Sequence, residues 1–158
     1  NLLTACQDGQ NRAAREGLLL GATLAGQAFA NSPVAAVHAL AYPLGSHYHV
    51  AHGLSNALML GPVLRFNTSA AAHQYAELAD VIGVPGYGNT EERADAFIQA
   101  IEILMSESGS PRRLRDVGVN EDSLGMIEDE AMKQTRLLIN NPIELQRNDA
   151  MALYREAY

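Results

Sequence analysis

Apolar residues recur every three or four positions along most of the chain, and strict strand-like alternation is convincing nowhere, so the pattern predicts helices. After Asp8, read as an N-cap, the residues Ala13, Leu18, Leu19, Ala22, Leu24, Ala25 and Phe29 follow helical spacing and predict one long helix to about Ala30. Gly17, Gly21 and Gly26 recur four and five apart and leave a smooth strip for a neighbouring helix to approach closely. Ser32-Pro33 supplies a cap and a first-turn proline for a second helix, which carries His38 and ends near Pro43-Leu44-Gly45. A third helix is expected from His52 towards Asn67, and a fourth from near Ala70 to Ile82, stopped by the turn Gly83 to Gly88. Thr90 caps a fifth over about 91–108, with Ala94, Phe97, Ile98, Ile101 and Leu104 inward. Gly109-Ser110-Pro111 ends it. Arg112 to Val119 reads as a short turn or helix, followed by a helix from about Glu121 to Leu138 that turns Leu124, Ile127, Ala131 and Thr135 inward. Asn140-Asn141-Pro142 interrupts the chain, and Asp149 to Tyr158 forms the last amphipathic helix, with Met151, Leu153, Tyr154 and Ala157. The expected fold class is all-α, a single bundle-like domain over residues 1–158.

Composition narrows the roles open to such a domain. With 158 residues, 47% of them hydrophobic, the chain can bury one sizeable core. Eighteen acidic against eleven basic side chains give a net charge of -7, which repels nucleic-acid phosphates and anionic lipid, so neither nucleic acid nor membrane is an expected partner. Cys6 stands alone, so no internal disulfide is expected; the apolar segments are too short for a membrane span, and no signal peptide is evident. A soluble, cytoplasmic protein is the expectation.

The candidate chemistry lies in the histidines. His38 and His52 are fourteen residues apart, too far to share one helix face, so they converge only if the chain turns between them, and Pro43 and Gly45 are the residues expected to turn it. Imidazole suits a borderline transition metal at neutral pH, yet two imidazoles are half of a catalytic site, which needs at least three protein ligands and an open position. His47 and His73 read as solvated surface groups, and His49 stays open between ligand and surface group.

The surroundings of the pair carry a resemblance. The run His38-x-x-x-Tyr42-Pro43-Leu44-Gly45, then His52-Gly53-Leu54-Ser55-Asn56-Ala57, then Leu64-Arg65-Phe66-Asn67, resembles the signature of the metal-dependent, group III (iron-containing) alcohol dehydrogenases. The similarity continues through Leu114-Arg115-Asp116-Val117-Gly118-Val119 and Asn140-Asn141-Pro142 to Leu153-Tyr154-Arg155-Glu156-Ala157-Tyr158. It implies the all-helical C-terminal domain of that family, with the dehydroquinate synthase-like architecture once joined to a nucleotide-binding domain. It also implies that His38 and His52 are two of four ligands to Fe2+ or Zn2+. The other two, an Asp and a His four residues apart, have no counterpart here: the sole upstream Asp, Asp8, is followed four residues on by Arg12. The glycines at 17, 21 and 26 match no dinucleotide fingerprint, so the nucleotide-binding domain is also expected to lie outside this chain.

The implied reaction is hydride transfer between a small alcohol or aldehyde and NAD or NADP, with the ion as Lewis acid, and the chain alone is expected to be inactive. Tyr42 stands where several family members carry another His, one turn from His38, and is a candidate to line the substrate pocket or relay a proton; a packed aromatic is the competing reading. The proline of Leu60-Gly61-Pro62 is shifted by one from the usual pattern, and Ile143 replaces a frequent basic residue. Two alternatives stand beside this: a non-catalytic helical domain that self-associates as a homo-oligomer, and a bundle metal carrier using His38, His47, His49 and His52.

Overall fold

Eight helices form in the computed structural model, which describes residues 1–86 and 88–158; no strand occurs among the described residues. Tyr87, inside the expected turn from Gly83 to Gly88, lies outside them. In order these are α1 (Leu2–Gln7), α2 (Arg12–Asn31), α3 (Ala36–Tyr48), α4 (His52–Val81), α5 (Thr90–Glu107), α6 (Leu124–Met132), α7 (Thr135–Leu138) and α8 (Arg147–Ala157), with short 3-10 turns at Leu114–Val117 and Glu121–Ser123.

The core is built on α3. Leu40 and Leu44 of α3, Met59 and Val63 of α4, Ile127 of α6 and Tyr154 of α8 are all buried in one cluster. The Tyr154 hydroxyl donates to the Leu40 carbonyl at 2.7 Å, so a buried phenol pins α8 to the helix that carries His38. A second cluster joins the far half of α4 to α5 through Ala79, Ala94, Ile98 and the stacked pair Tyr75 and Phe97, whose ring centroids lie 5.7 Å apart.

Several expectations are corrected. Residues 52–81 form one helix rather than two, with Pro62 in its interior. Pro62 offers no N–H to the Leu58 carbonyl, but Leu58, Met59, Gly61, Pro62 and Val63 are all buried, and tertiary packing holds the helix through that loss. Gly61 has its own reason: a Cβ there would meet the Glu102 carboxylate at 3.0 Å, and that carboxylate pairs with Arg65. Pro43 likewise lies inside α3 and does not turn the chain. The expected helix 121–138 is divided into a 3-10 turn, α6 and α7, and Thr135 is exposed, although Leu124, Ile127 and Ala131 are buried as expected. Asn89, not Thr90, caps α5: its side chain accepts from Glu92 N–H at 2.9 Å while the Glu92 carboxylate accepts from Asn89 N–H at 2.8 Å.

The first helices depart most. An unexpected α1 precedes α2, whose cap is Asn11 rather than Asp8; Asn11 accepts from Ala14 N–H at 3.0 Å. Every residue from Leu19 to Asn31 is exposed, including Leu19 at 70%, Leu24 at 56% and Phe29 at 56%, and a Cβ on Gly21 or Gly26 would meet nothing. The apolar period is that of a helix with covered sides, yet α2 packs mainly against α1.

Candidate metal centre

The reversal between α3 and α4 takes three residues, His49, Val50 and Ala51. His49 adopts the left-handed conformation at φ 55°, which ends α3, and its N–H bonds the Gly45 carbonyl at 3.2 Å while Val50 N–H reaches Leu44 O at 3.3 Å. Buried Ser55 seals the turn from the other side, its hydroxyl donating to the carbonyls of Val50 or Ala51 at 3.3 and 3.2 Å. So tight a reversal folds α4 back along α3. His38 is near the start of α3 and His52 is the first residue of α4; their ring centroids come within 5.2 Å.

Tyr42 completes a triangle of rings, 6.5 Å from His38 and 6.0 Å from His52, with 41% of its surface exposed. Asn56, one turn beyond His52, places its side-chain amide nitrogen 3.3 Å from His38 Nε2 and 3.2 Å from His52 Nε2. Both Nε2 atoms therefore face one point. The His38 pKa is lowered from its ordinary 6.5, first by burial and then by the neighbouring His52 charge, which favours the neutral imidazole that a metal needs.

His47 and His49 do not join. His47 is in the last turn of α3, His49 at its end, both exposed, and His73 pairs instead with Glu77 at 3.3 Å. Among the described residues no three His, Cys, Asp or Glu side chains gather closely enough to hold an ion, which removes the four-histidine carrier. Nor is any described helix long and apolar enough to cross a membrane.

Beside His38 opens a mostly apolar hollow of about 580 Å³, lined by residues including Asn56, Leu60, Leu64, Tyr75 and Asn141. Its wall is tied by side-chain amides. Asn67 and Asn141 exchange two hydrogen bonds, at 3.0 and 2.8 Å, and Asn140 donates to the Val34 carbonyl at 3.0 Å, just ahead of α3.

The sequence model for the Fe-containing alcohol dehydrogenase family, C-terminal, matches residues 1–158. The chain belongs to that family. Among curated relatives, a 1,3-propanediol dehydrogenase of Klebsiella pneumoniae is 35% identical over 159 residues, covering all of this chain and 41% of the relative. The long-chain-alcohol dehydrogenase 1 of Geobacillus thermodenitrificans is 34% identical over all of this chain and 40% of its own length. The lactaldehyde reductase of Escherichia coli K12 is 34% identical over 92% of this chain and 38% of the relative. The chain thus spans about two fifths of the curated relatives it matches. Among solved structures, that of 1,3-propanediol oxidoreductase superposes with a TM-score of 0.95 at 34% identity, over all of this chain and 41% of that one. An alcohol dehydrogenase from Oenococcus oeni gives 0.91 at 30% identity over 99% of this chain. The all-helical architecture is therefore the family's C-terminal fold.

Two features of this domain are not legible in the sequence. Asn56 was visible only as part of the second histidine block, although its position four residues after His52 puts the two side chains on one helix face. Asn67 and Asn141 stood in separate motifs, and nothing in their spacing joins them.

Proposed function

We propose that this chain is the metal- and substrate-binding part of an NAD- or NADP-dependent alcohol dehydrogenase or aldehyde reductase, with His38 and His52 as two imidazole ligands of a divalent cation, Fe2+ or Zn2+. One observation carries the reading: two imidazole Nε2 atoms aimed at a common point where a single amide nitrogen meets both. The donor set fits such an ion, because imidazole suits iron and zinc alike, and it is incomplete, because a catalytic site takes three or more protein ligands. The remaining ligands and the nicotinamide site are then contributed from outside residues 1–158, in keeping with relatives more than twice as long.

The ion supplies Lewis acidity towards the oxygen of a small alcohol or aldehyde. The residues of this chain hold and shape the site around it. His38 and His52 keep both Nε2 atoms on one point, Tyr42 lines the approach from the exposed side, and the apolar hollow beside His38 accommodates the carbon skeleton of a substrate. By itself the chain binds metal weakly and has no dehydrogenase activity.

Calorimetric titration with Zn2+ tests the ligand assignment. His38→Ala and His52→Ala should each weaken binding at least about tenfold, since loss of one of two donors cannot be compensated. Stoichiometric binding that survives both substitutions unchanged would overturn it.

A second reading rests on α2. Its exposed Leu19, Leu20, Leu24 and Phe29 favour self-association of this chain wherever no other part of a longer protein covers them.

A further inference from the structure

We infer that Asn56 is a positioning residue that fixes the tautomer of both candidate ligands, holding His38 and His52 with the proton on Nδ1 and with Nε2 as the accepting nitrogen. The inference rests on the metal-ligand reading above and goes beyond it, because it names what orients the pair.

A carboxamide –NH2 has two hydrogens to donate and accepts nothing. With Nδ2 at 3.3 Å from His38 Nε2 and 3.2 Å from His52 Nε2, one hydrogen serves each ring, and each Nε2 is the acceptor. A neutral imidazole that accepts at Nε2 carries its proton at Nδ1. Metal-ligating histidines are ordinarily held from behind, by an acceptor on the ring nitrogen that does not touch the metal. Among the described residues neither His38 Nδ1 nor His52 Nδ1 has a hydrogen-bond partner, whereas the front of each ring meets Asn56. The tautomer that a rear acceptor usually enforces is here set from the front by one amide.

The orientation of that amide follows from what each alternative strands. As it stands, Asn56 Oδ1 is buried without a partner. Reversing the amide would place Oδ1 between the rings, require Nε2–H on both, and strand an –NH2 with two donors where one acceptor is stranded now. The larger unmet demand disfavours the reversal. The backbone also limits escape: Asn56 is in the first turns of α4, directly after the turn sealed by Ser55, so its side chain cannot leave the two rings without a change of rotamer.

Long-range proton–nitrogen correlation NMR on the metal-free chain, with nitrogen-15-labelled histidine at pH 8, reads the tautomer of each ring. In the wild type, His38 and His52 should both be Nδ1–H. Asn56→Asp replaces the donor by a carboxylate that only accepts, and should convert both rings to Nε2–H. Asn56→Leu, similar in volume, should release both to exchange between tautomers. A packing role alone moves neither tautomer. Nε2–H on either ring of the wild type, which needs no variant to fold, would overturn the inference, as would Nδ1–H retained in Asn56→Asp. Because the tautomer is read without metal, its failure is distinct from failure of the ligand assignment, which the His38→Ala titration decides.

Discussion

The amide pair between Asn67 and Asn141 makes a measurable claim about how the walls of the site are held. Asn67 Nδ2 donates to Asn141 Oδ1 at 3.0 Å, Asn141 Nδ2 donates back at 2.8 Å, and Asn141 Nδ2 also meets the Ile143 carbonyl at 2.8 Å. Asn67 is buried. At about 1 kcal/mol net for each neutral hydrogen bond, Asn67→Ala removes two and should cost about 2 kcal/mol. Asn141→Ala removes three and should cost about 3 kcal/mol. The two bonds they share are lost only once, so the double variant should cost about 3 kcal/mol rather than 5, a coupling of about 2 kcal/mol. Urea unfolding of the four proteins measures all three values, and calorimetry should place Asn67→Ala about 4–8 °C below the wild type for a chain of this size. Costs that add to within about 0.5 kcal/mol would refute the pairing.

Two further outcomes concern His38 and α2. Above pH 6.5 His38 is neutral whether folded or unfolded; below it the unfolded chain takes up a proton that the folded chain, with its lowered pKa, refuses until a more acidic pH. Stability should therefore fall with pH from 6.5 down to the folded value, and urea midpoints at pH 7.5, 6.5 and 5.5 should show a smaller decline in His38→Gln; an undiminished decline would contradict the shift. For α2, sedimentation velocity of the 158-residue chain should show mass above the monomer that rises with concentration, and Leu20→Glu with Leu24→Glu should return it to a monomer; a wild type that is monomeric throughout would remove the self-association reading.

The histidine pair was legible because its information is local. Residue type, the resemblance of both flanks and the need for a reversal between them were all in the sequence. The residues that make the reversal were not. Pro43 and Gly45 are strong turn formers, but Leu40, Ala41, Pro43 and Leu44 are buried, and that packing carries α3 on to Tyr48, leaving His49 to take the left-handed conformation. Pro62 misled in the same way: a proline with buried neighbours on both sides does not end a helix that other helices enclose.

The helix α2 shows the opposite limit. Periodicity records which side chains a helix was selected to cover, and the run from Leu18 to Phe29 carries that record clearly. It cannot record what does the covering, and among the described residues nothing covers Leu19, Leu24 or Phe29. The same holds at the candidate metal centre, where two imidazole nitrogens and an amide converge and no third ionisable ligand stands near among the described residues. An uncovered apolar helix and a half-furnished ligand set are independent features, one arising from packing and the other from coordination chemistry. Under the proposed function a single condition meets both, contacts from outside residues 1–158, and the relatives are more than twice this length. On the proposed reading Asn56 gains its interest there, because two imidazoles without further ligands need something to keep both Nε2 atoms turned to one point.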